Sequence, residues 1–195
     1  MIKVFLVEDE VVMRNGIKNN IPWEKEGLIF AGEASDGELA YPMIKKAQPD
    51  ILITDIRMPF MDGLELSELV KKEFPRIKII ILSGYNEFDY AKQAIHIGVT
   101  DSLLKPITAS KLLEAVKKVA DVIEKEREEE GMLERYRLEM AENTVLERQR
   151  LFRDLVTSRI NFKEALERGE ELGLELSASF YQLMLFKLIP SGPSR

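Results

Sequence analysis

Groups that can bind metal ions and phosphate, five side chains and the backbone amide of a glycine, follow four of the short apolar runs in this sequence. In chain order they are Glu8, Asp9, Asp55, Ser83, Gly84 and Lys105. If they meet, the three carboxylates repel one another, which raises at least one pKa unless a hard cation such as Mg²⁺ binds beside them. Asp55 is then a competent nucleophile for a phosphoryl group, and Lys105 offsets charge on the transferring oxygens. The set predicts phosphoryl transfer onto an aspartate; the alternative is that each acid only solvates a loop.

Five strand-then-helix units place these residues. The predicted strands are 2–7, 28–34, 51–54, 78–82 and 101–104, and the predicted helices are 11–20, 35–47, 62–74, 87–97 and one from about 108. This alternation predicts an α/β fold, a parallel sheet with helices on both faces, although two smaller α+β pieces are an alternative. Because sites in such folds lie at the carboxyl ends of the strands, the residues above are predicted to converge.

The composition excludes several classes of site. The chain has no cysteine, and His96 is its single histidine, which excludes disulfides, thiolate zinc sites and multi-histidine metal sites. The net charge is −6, and acidic residues outnumber basic ones in both 1–118 and 119–195, so the positive charge typical of DNA-binding proteins is missing. Neither a signal peptide nor a membrane-spanning run is predicted. We expect a soluble cytoplasmic protein with no membrane partner.

Four segments resemble the receiver domain of two-component response regulators. They are VEDE (7–10), DIRMPFMDG (55–63), LSG (82–84) and LLKP (103–106), and they occur in the order and at the strand ends that this family uses. The likeness covers about residues 1–120. It implies a flavodoxin-like (βα)5 doubly wound sheet with strand order 2-1-3-4-5, an order that the periodicity alone does not give.

The resemblance implies a role for each residue of the acidic cluster. Asp55 would accept the phosphoryl group and would bind Mg²⁺ together with Asp9. Glu8 would reach the metal ion through water, and the backbone carbonyl of Arg57 would be a further ligand. The phosphoryl oxygens would be bound by Ser83, Gly84 and Lys105.

Other matched positions would shape the site. Pro59, Asp62 and Gly63 would form the turn after the third strand, and Pro106 would follow a cis peptide bond. These positions carry no chemistry of their own. They would set the path of the backbone on two sides of the phosphoacceptor.

Residue 102 departs from the pattern of the family. In receivers, an aromatic residue three positions before the lysine turns inward on phosphorylation, whereas this chain has Ser102. Ser83 still offers the hydroxyl that moves toward the phosphoryl group. Tyr85 and Phe88, just after the fourth strand, are candidates for acting on the same surface, and ordinary packing at a helix start is the alternative.

The implied partner is a sensor histidine kinase that donates the phosphoryl group, and we expect no turnover enzyme. One alternative is a metal-dependent phosphatase of the same fold family, but its second aspartate would stand two residues after Asp55, where this chain has Arg57. The other is a receiver-like scaffold that does not respond to phosphate. Ser102 leaves it open, but the intact set of Asp9, Asp55, Ser83 and Lys105 argues against it. His96 lacks the acidic neighbour of a kinase phosphohistidine and is interpreted as a structural or surface histidine.

The density of charged residues in 121–160 predicts a charged helical linker after the receiver. Within it Leu138, Val145 and Phe152 are spaced by seven residues, although the chain shows no long heptad repeat. We predict a homodimer through this helix or through a face of the receiver. The alternative is a monomeric linker that folds onto its own chain.

Residues 161–195 predict the start of a second α/β module. Asn161 is a candidate cap for a helix through 172, and 178–189 predicts one strand of a further sheet. The stretch 85–95 and the charged linker resemble the receivers that precede AraC-type DNA-binding outputs. The resemblance therefore implies that DNA is read only by an output domain that these 195 residues do not contain.

Overall fold

The computed structural model describes residues 1–84, 93 and 96–176. Its sheet has five parallel strands in the order β2-β1-β3-β4-β5. The strands are β1 Ile2–Val7, β2 Leu28–Ala34, β3 Ile51–Asp55, β4 Lys78–Ser83 and β5 Asp101–Leu104. The predicted fold class and strand order are thereby confirmed. The predictions for Tyr85, Phe88, most of helix 87–97 and strand 178–189 fall outside the described residues.

Helices join the strands and continue after the last one. They are α1 Val11–Asn20, α2 Gly37–Ala47, α3 Gly63–Glu73, α4 Ala109–Val156 and α5 Phe162–Glu171, with a 3₁₀ turn at Trp23–Glu26. Side-chain caps fix several starts, because Asp36 accepts a hydrogen bond from the Leu39 amide and Asn161 accepts one from the Glu164 amide. Gly131 lies within α4, which is continuous through it.

The sheet separates two apolar layers. Val4 and Leu6 of β1, with Ile51 and Ile53 of β3, pack with α1 and the start of α4. Phe5 and Leu52 point to the opposite face and pack with α2 and α3. Helices cover both faces of the sheet, and successive strand residues point to opposite faces. Nearly every strand residue therefore points into an apolar layer, which explains why these strands are almost continuously hydrophobic.

The chain forms two compact units, Met1–Glu129 and Glu130–Arg195. In the first, Leu112, Val116, Val119 and Ile123 of α4 are buried at the spacing that keeps them on one face of a helix. In the second, Leu151 and Ala165 are buried, and the Arg148 guanidinium donates to the carbonyl of Leu172. Among the described residues, no helix is both long enough and apolar enough to cross a membrane.

Candidate functional site

The register of the sheet brings four strand ends to one edge. Val7 of β1 lies opposite Thr54, and Asp55 lies opposite Leu82. Ser83, the last residue of β4, lies opposite Leu104. The last residue of each strand, or the one after it, therefore reaches the same region. This brings together side chains that are almost one hundred positions apart in the sequence.

Lys105 joins two buried carboxylates at this edge. Its Nζ donates to Asp55 Oδ2 at 2.7 Å and to both carboxylate oxygens of Glu8, at 2.9 and 3.1 Å. The second Asp55 oxygen, Oδ1, accepts a hydrogen bond of 2.8 Å from the Ile56 amide. Glu8 is fully buried and Asp55 is 8% exposed, so these contacts form in a largely dry environment.

Burial is the main influence on the acid–base behaviour of these groups. Loss of solvent raises the pKa values of Glu8 and Asp55, and the hydrogen bonds from Lys105 offset only part of that rise. Burial alone would lower the pKa of Lys105, but its bonds to Asp55 and Glu8 outweigh this and leave the pKa raised. Two buried carboxyl groups thus share one ammonium, and burial disfavours any negative charge that this ammonium does not balance.

Asp9 completes a group of acids with metal-binding geometry. Glu8, Asp9 and Asp55 each present one carboxylate oxygen within 4.8 Å of the other two, and the described part of the chain contains no other such group. Asp9 is exposed and gives access from solvent. All three residues offer hard oxygen ligands, and three carboxyl groups lie beside a single ammonium, that of Lys105. The residues present therefore fit Mg²⁺.

The loop after β3 lies against the backbone of Asp55. The Gly63 amide donates to the Ile56 carbonyl at 2.8 Å, and a Cβ on Gly63 would lie 1.8 Å from the Asp55 carbonyl oxygen. Asp62 accepts hydrogen bonds from the amides of Leu64 and Glu65 and so caps α3. The turn thus brings the start of α3 into direct contact with the backbone of Asp55.

Other predicted residues lie on two sides of Asp55. The Ser83 carbonyl accepts a hydrogen bond of 2.7 Å from the Lys105 amide, and the Lys105–Pro106 peptide bond is cis. The Pro59 carbonyl accepts a bond from the Met61 amide, within the same loop as the exposed Arg57. The phosphate-binding roles of Ser83 and Gly84 and the metal-binding role of the Arg57 carbonyl stay predictions, and Ser102 is exposed on β5.

Three residues near the site were not predicted. The Arg14 guanidinium donates to the carbonyls of Glu8 and Asp9, and the buried Thr54 hydroxyl donates to the Asp55 carbonyl at 3.0 Å. Phe60 is 83% exposed with a left-handed φ of 66°, which is uncommon for a bulky residue. Only the position of Arg14, one helical turn after the acids, gave a signal in the sequence.

Comparison with known proteins gives one consistent result. The sequence profile described as the response regulator receiver domain matches residues 4–117. The uncharacterized transcriptional regulatory protein YesN of Bacillus subtilis is 40% identical over 119 residues, which are 61% of this chain and 32% of YesN. The transcriptional regulatory protein HptR of Staphylococcus aureus is 38% identical over 113 residues, covering 57% of this chain and 44% of HptR. The chain thus spans less than half the length of either relative.

Solved structures agree with the sequence matches. The receiver domain of AraT, a response regulator from Geobacillus stearothermophilus, has 38% identity and a TM-score of 0.61, and the match covers 65% of this chain and 98% of that one. A two-component transcriptional regulator AraC from Clostridium phytofermentans has 29% identity and a TM-score of 0.59, with 66% and 99% covered. The resemblance found in the four sequence segments is confirmed.

Proposed function

This chain belongs to the response regulator receiver domain family, and from that premise we propose that Asp55 accepts a phosphoryl group from the phosphohistidine of a sensor histidine kinase. The observation that carries the proposal is the position of the Asp55 carboxylate. It is held on one side by Lys105 Nζ and on the other by the Ile56 amide, with Glu8 and Asp9 beside it.

The proposed reaction is a direct transfer between two side chains. A carboxylate oxygen of Asp55 attacks phosphorus, the bond between phosphorus and the kinase imidazole nitrogen breaks, and its electron pair returns to the imidazole. The hydrogen bond from Lys105 favours the ionised form of Asp55 against the effect of burial, and its positive charge offsets the negative charge that gathers on the transferring oxygens. Ser83 and the Gly84 amide are proposed to donate hydrogen bonds to the phosphoryl oxygens.

The proposed cofactor is Mg²⁺. Asp9 and Asp55 would hold it directly, Glu8 through water, and the Arg57 carbonyl would be a further ligand. The bound ion would supply positive charge beside the phosphoryl oxygens. Asp9 is suited to this role because it is exposed next to two carboxylates whose pKa values burial raises.

The proposed output is control of transcription. We place the receiver at residues 1–120, a helical linker at 121–160 and the beginning of a second module at 161–195. Phosphorylation would change the association of two copies through the linker helix or a receiver face, and an output domain outside these residues would bind DNA. The names of the relatives support this output, because YesN and HptR are described as transcriptional regulatory proteins. A cytoplasmic location and the absence of enzymatic turnover are part of the same proposal.

Intact mass spectrometry after treatment with acetyl phosphate and Mg²⁺ tests the phosphoacceptor. The wild type is expected to gain the mass of one phosphoryl group, and Asp55→Asn is expected to gain none. Asp121→Asn is the matched control, since Asp121 is an exposed aspartate on α4, and it should react like the wild type. An adduct that persists in Asp55→Asn would refute the assignment.

A further inference from the structure

Arg14 lies at the start of α1 and reaches back to the acidic segment before the helix. One guanidinium nitrogen, Nη1, donates to the Glu8 carbonyl at 2.6 Å and lies within hydrogen-bond distance of the Asp9 carbonyl at 3.4 Å. The side chain is only 16% exposed. We propose that Arg14 is a positioning residue that orients the carboxylates of Glu8 and Asp9 for Mg²⁺, an inference that rests on the proposed function.

The geometry assigns this role because the two carbonyls flank Asp9. The Glu8 carbonyl belongs to the peptide plane before the Asp9 α-carbon, and the Asp9 carbonyl belongs to the plane after it. Holding both oxygens fixes the two planes, and with them the direction in which the Asp9 side chain leaves the backbone. The path of the chain around Glu8 is restrained at the same time.

The Glu8 amide donates to the Ala34 carbonyl at 3.1 Å and Lys105 holds the Glu8 carboxylate, but the segment that follows Glu8 has weaker local restraints. Glu10 occupies the N-cap position of α1 without a side-chain capping bond, and the hydrogen bond from the Glu10 amide to Glu8 Oε1 is long, at 3.3 Å. Asp9 itself is exposed. The guanidinium, which donates to carbonyls, therefore orients a helix start at which no side chain accepts from the first amides.

Arg14 is itself held from the far side. Its Nε lies 3.9 Å from Glu33 Oε1 on β2, and Lys18 lies 3.2 Å from the other oxygen of Glu33. The guanidinium thus spans from the edge strand to the acidic segment. Because a guanidinium is planar and presents several donors, lysine does not reproduce such a bridge.

Replacing Arg14 is expected to weaken Mg²⁺ binding more than it lowers the free energy of unfolding. Replacing residues that orient metal ligands typically weakens binding about 10- to 100-fold. Arg14→Lys keeps the charge and loses the planar fork, whereas Arg14→Gln keeps a donor and loses the charge. We expect Mg²⁺ to bind each variant at least ~10-fold more weakly than the wild type.

The test is isothermal titration calorimetry of the full chain with Mg²⁺ alone. Lys18→Gln is the control variant. Lys18 pairs with Glu33 as Arg14 does, but it is not among the donors to the Glu8 and Asp9 carbonyls. Amide hydrogen exchange at Glu10 without metal gives a second readout, which should be faster in the Arg14 variants only. Unchanged affinity in Arg14→Lys, or an equal loss in Lys18→Gln, would overturn the inference and leave the proposed function intact. A wild type that binds no Mg²⁺ would overturn both.

Discussion

Gly63 lies so close to Asp55 that a single added carbon has no space: its Cβ would stand 1.8 Å from the Asp55 carbonyl oxygen and 2.9 Å from the Thr54 hydroxyl oxygen. These contacts are with backbone and a buried side chain, which cannot move aside as a flexible surface chain would. The first turn of α3 therefore packs directly against the backbone of Asp55, and only glycine at position 63 leaves space for this contact.

Gly63→Ala is expected to destabilise the protein by at least about 1–3 kcal/mol, the usual cost of overpacking, and to slow phosphorylation because Asp55 moves. Chemical denaturation and acetyl phosphate labelling measure the two effects. Gly131→Ala is the matched control, since a Cβ there meets no atom within 4 Å. It should raise helix stability by up to about 1 kcal/mol, and equal losses in both variants would contradict the prediction.

The convergence of Glu8, Asp55 and Lys105 could be predicted from sequence because each follows an apolar run that ends at the same edge of a parallel sheet. Strand order came only from the family resemblance, since the apolar pattern of a strand does not name its neighbour. The role of Arg14 was not predicted, and for Gly63 the family resemblance gave only its place in the turn after the third strand, not its contact with the Asp55 backbone. A charged residue on a first helical turn usually faces solvent, and a close backbone approach depends on loop geometry that no local pattern encodes.

Mg²⁺ is expected to stabilise the folded protein. A ligand at a concentration 100 times its Kd adds about 2.7 kcal/mol to the free energy of unfolding, and here it also compensates carboxylates whose pKa values burial raises. Thermal unfolding with and without Mg²⁺ measures the effect. Asp9→Asn should lose most of it, whereas Glu10→Gln, which alters the adjacent acid outside the metal-binding group, should retain it. Stabilisation of equal size in Asp9→Asn would count against the metal site.

Lys71 gives a pH-dependent prediction away from the site. Burial, followed by the positive charge of Lys78, lowers the pKa of Lys71, and Glu126 offsets only part of this. A lysine whose pKa is lower in the folded state loses its proton more easily there. The free energy of unfolding should therefore rise with pH as pH climbs from the folded pKa of Lys71 toward its ordinary value near 10.5.

Lys71→Met should remove this pH dependence and raise stability at neutral pH, because no charge then has to be buried. Denaturation midpoints between neutral and alkaline pH provide the measurement. Lys72→Met is the control, since Lys72 is exposed on the same helix and its replacement should leave the pH slope unchanged. A Lys71→Met protein with the pH slope of the wild type would show that the half-buried ammonium of Lys71 is not the source of that slope.

The exposed seam of α4 gives the prediction for self-association. Leu138, Val145 and Phe152 are 56%, 52% and 45% exposed, and a spacing of seven keeps them on nearly the same side of a helix. Covering this exposed apolar seam with a second copy of the chain would lower the free energy, because apolar surface would leave water. Val145→Lys places a charge at its centre and is expected to shift phosphorylated protein from dimer to monomer in light-scattering measurements. Met132→Lys is the matched control, because Met132 is also exposed but lies off the seam; a shift in this variant and none in Val145→Lys would locate the contact on another face of the helix.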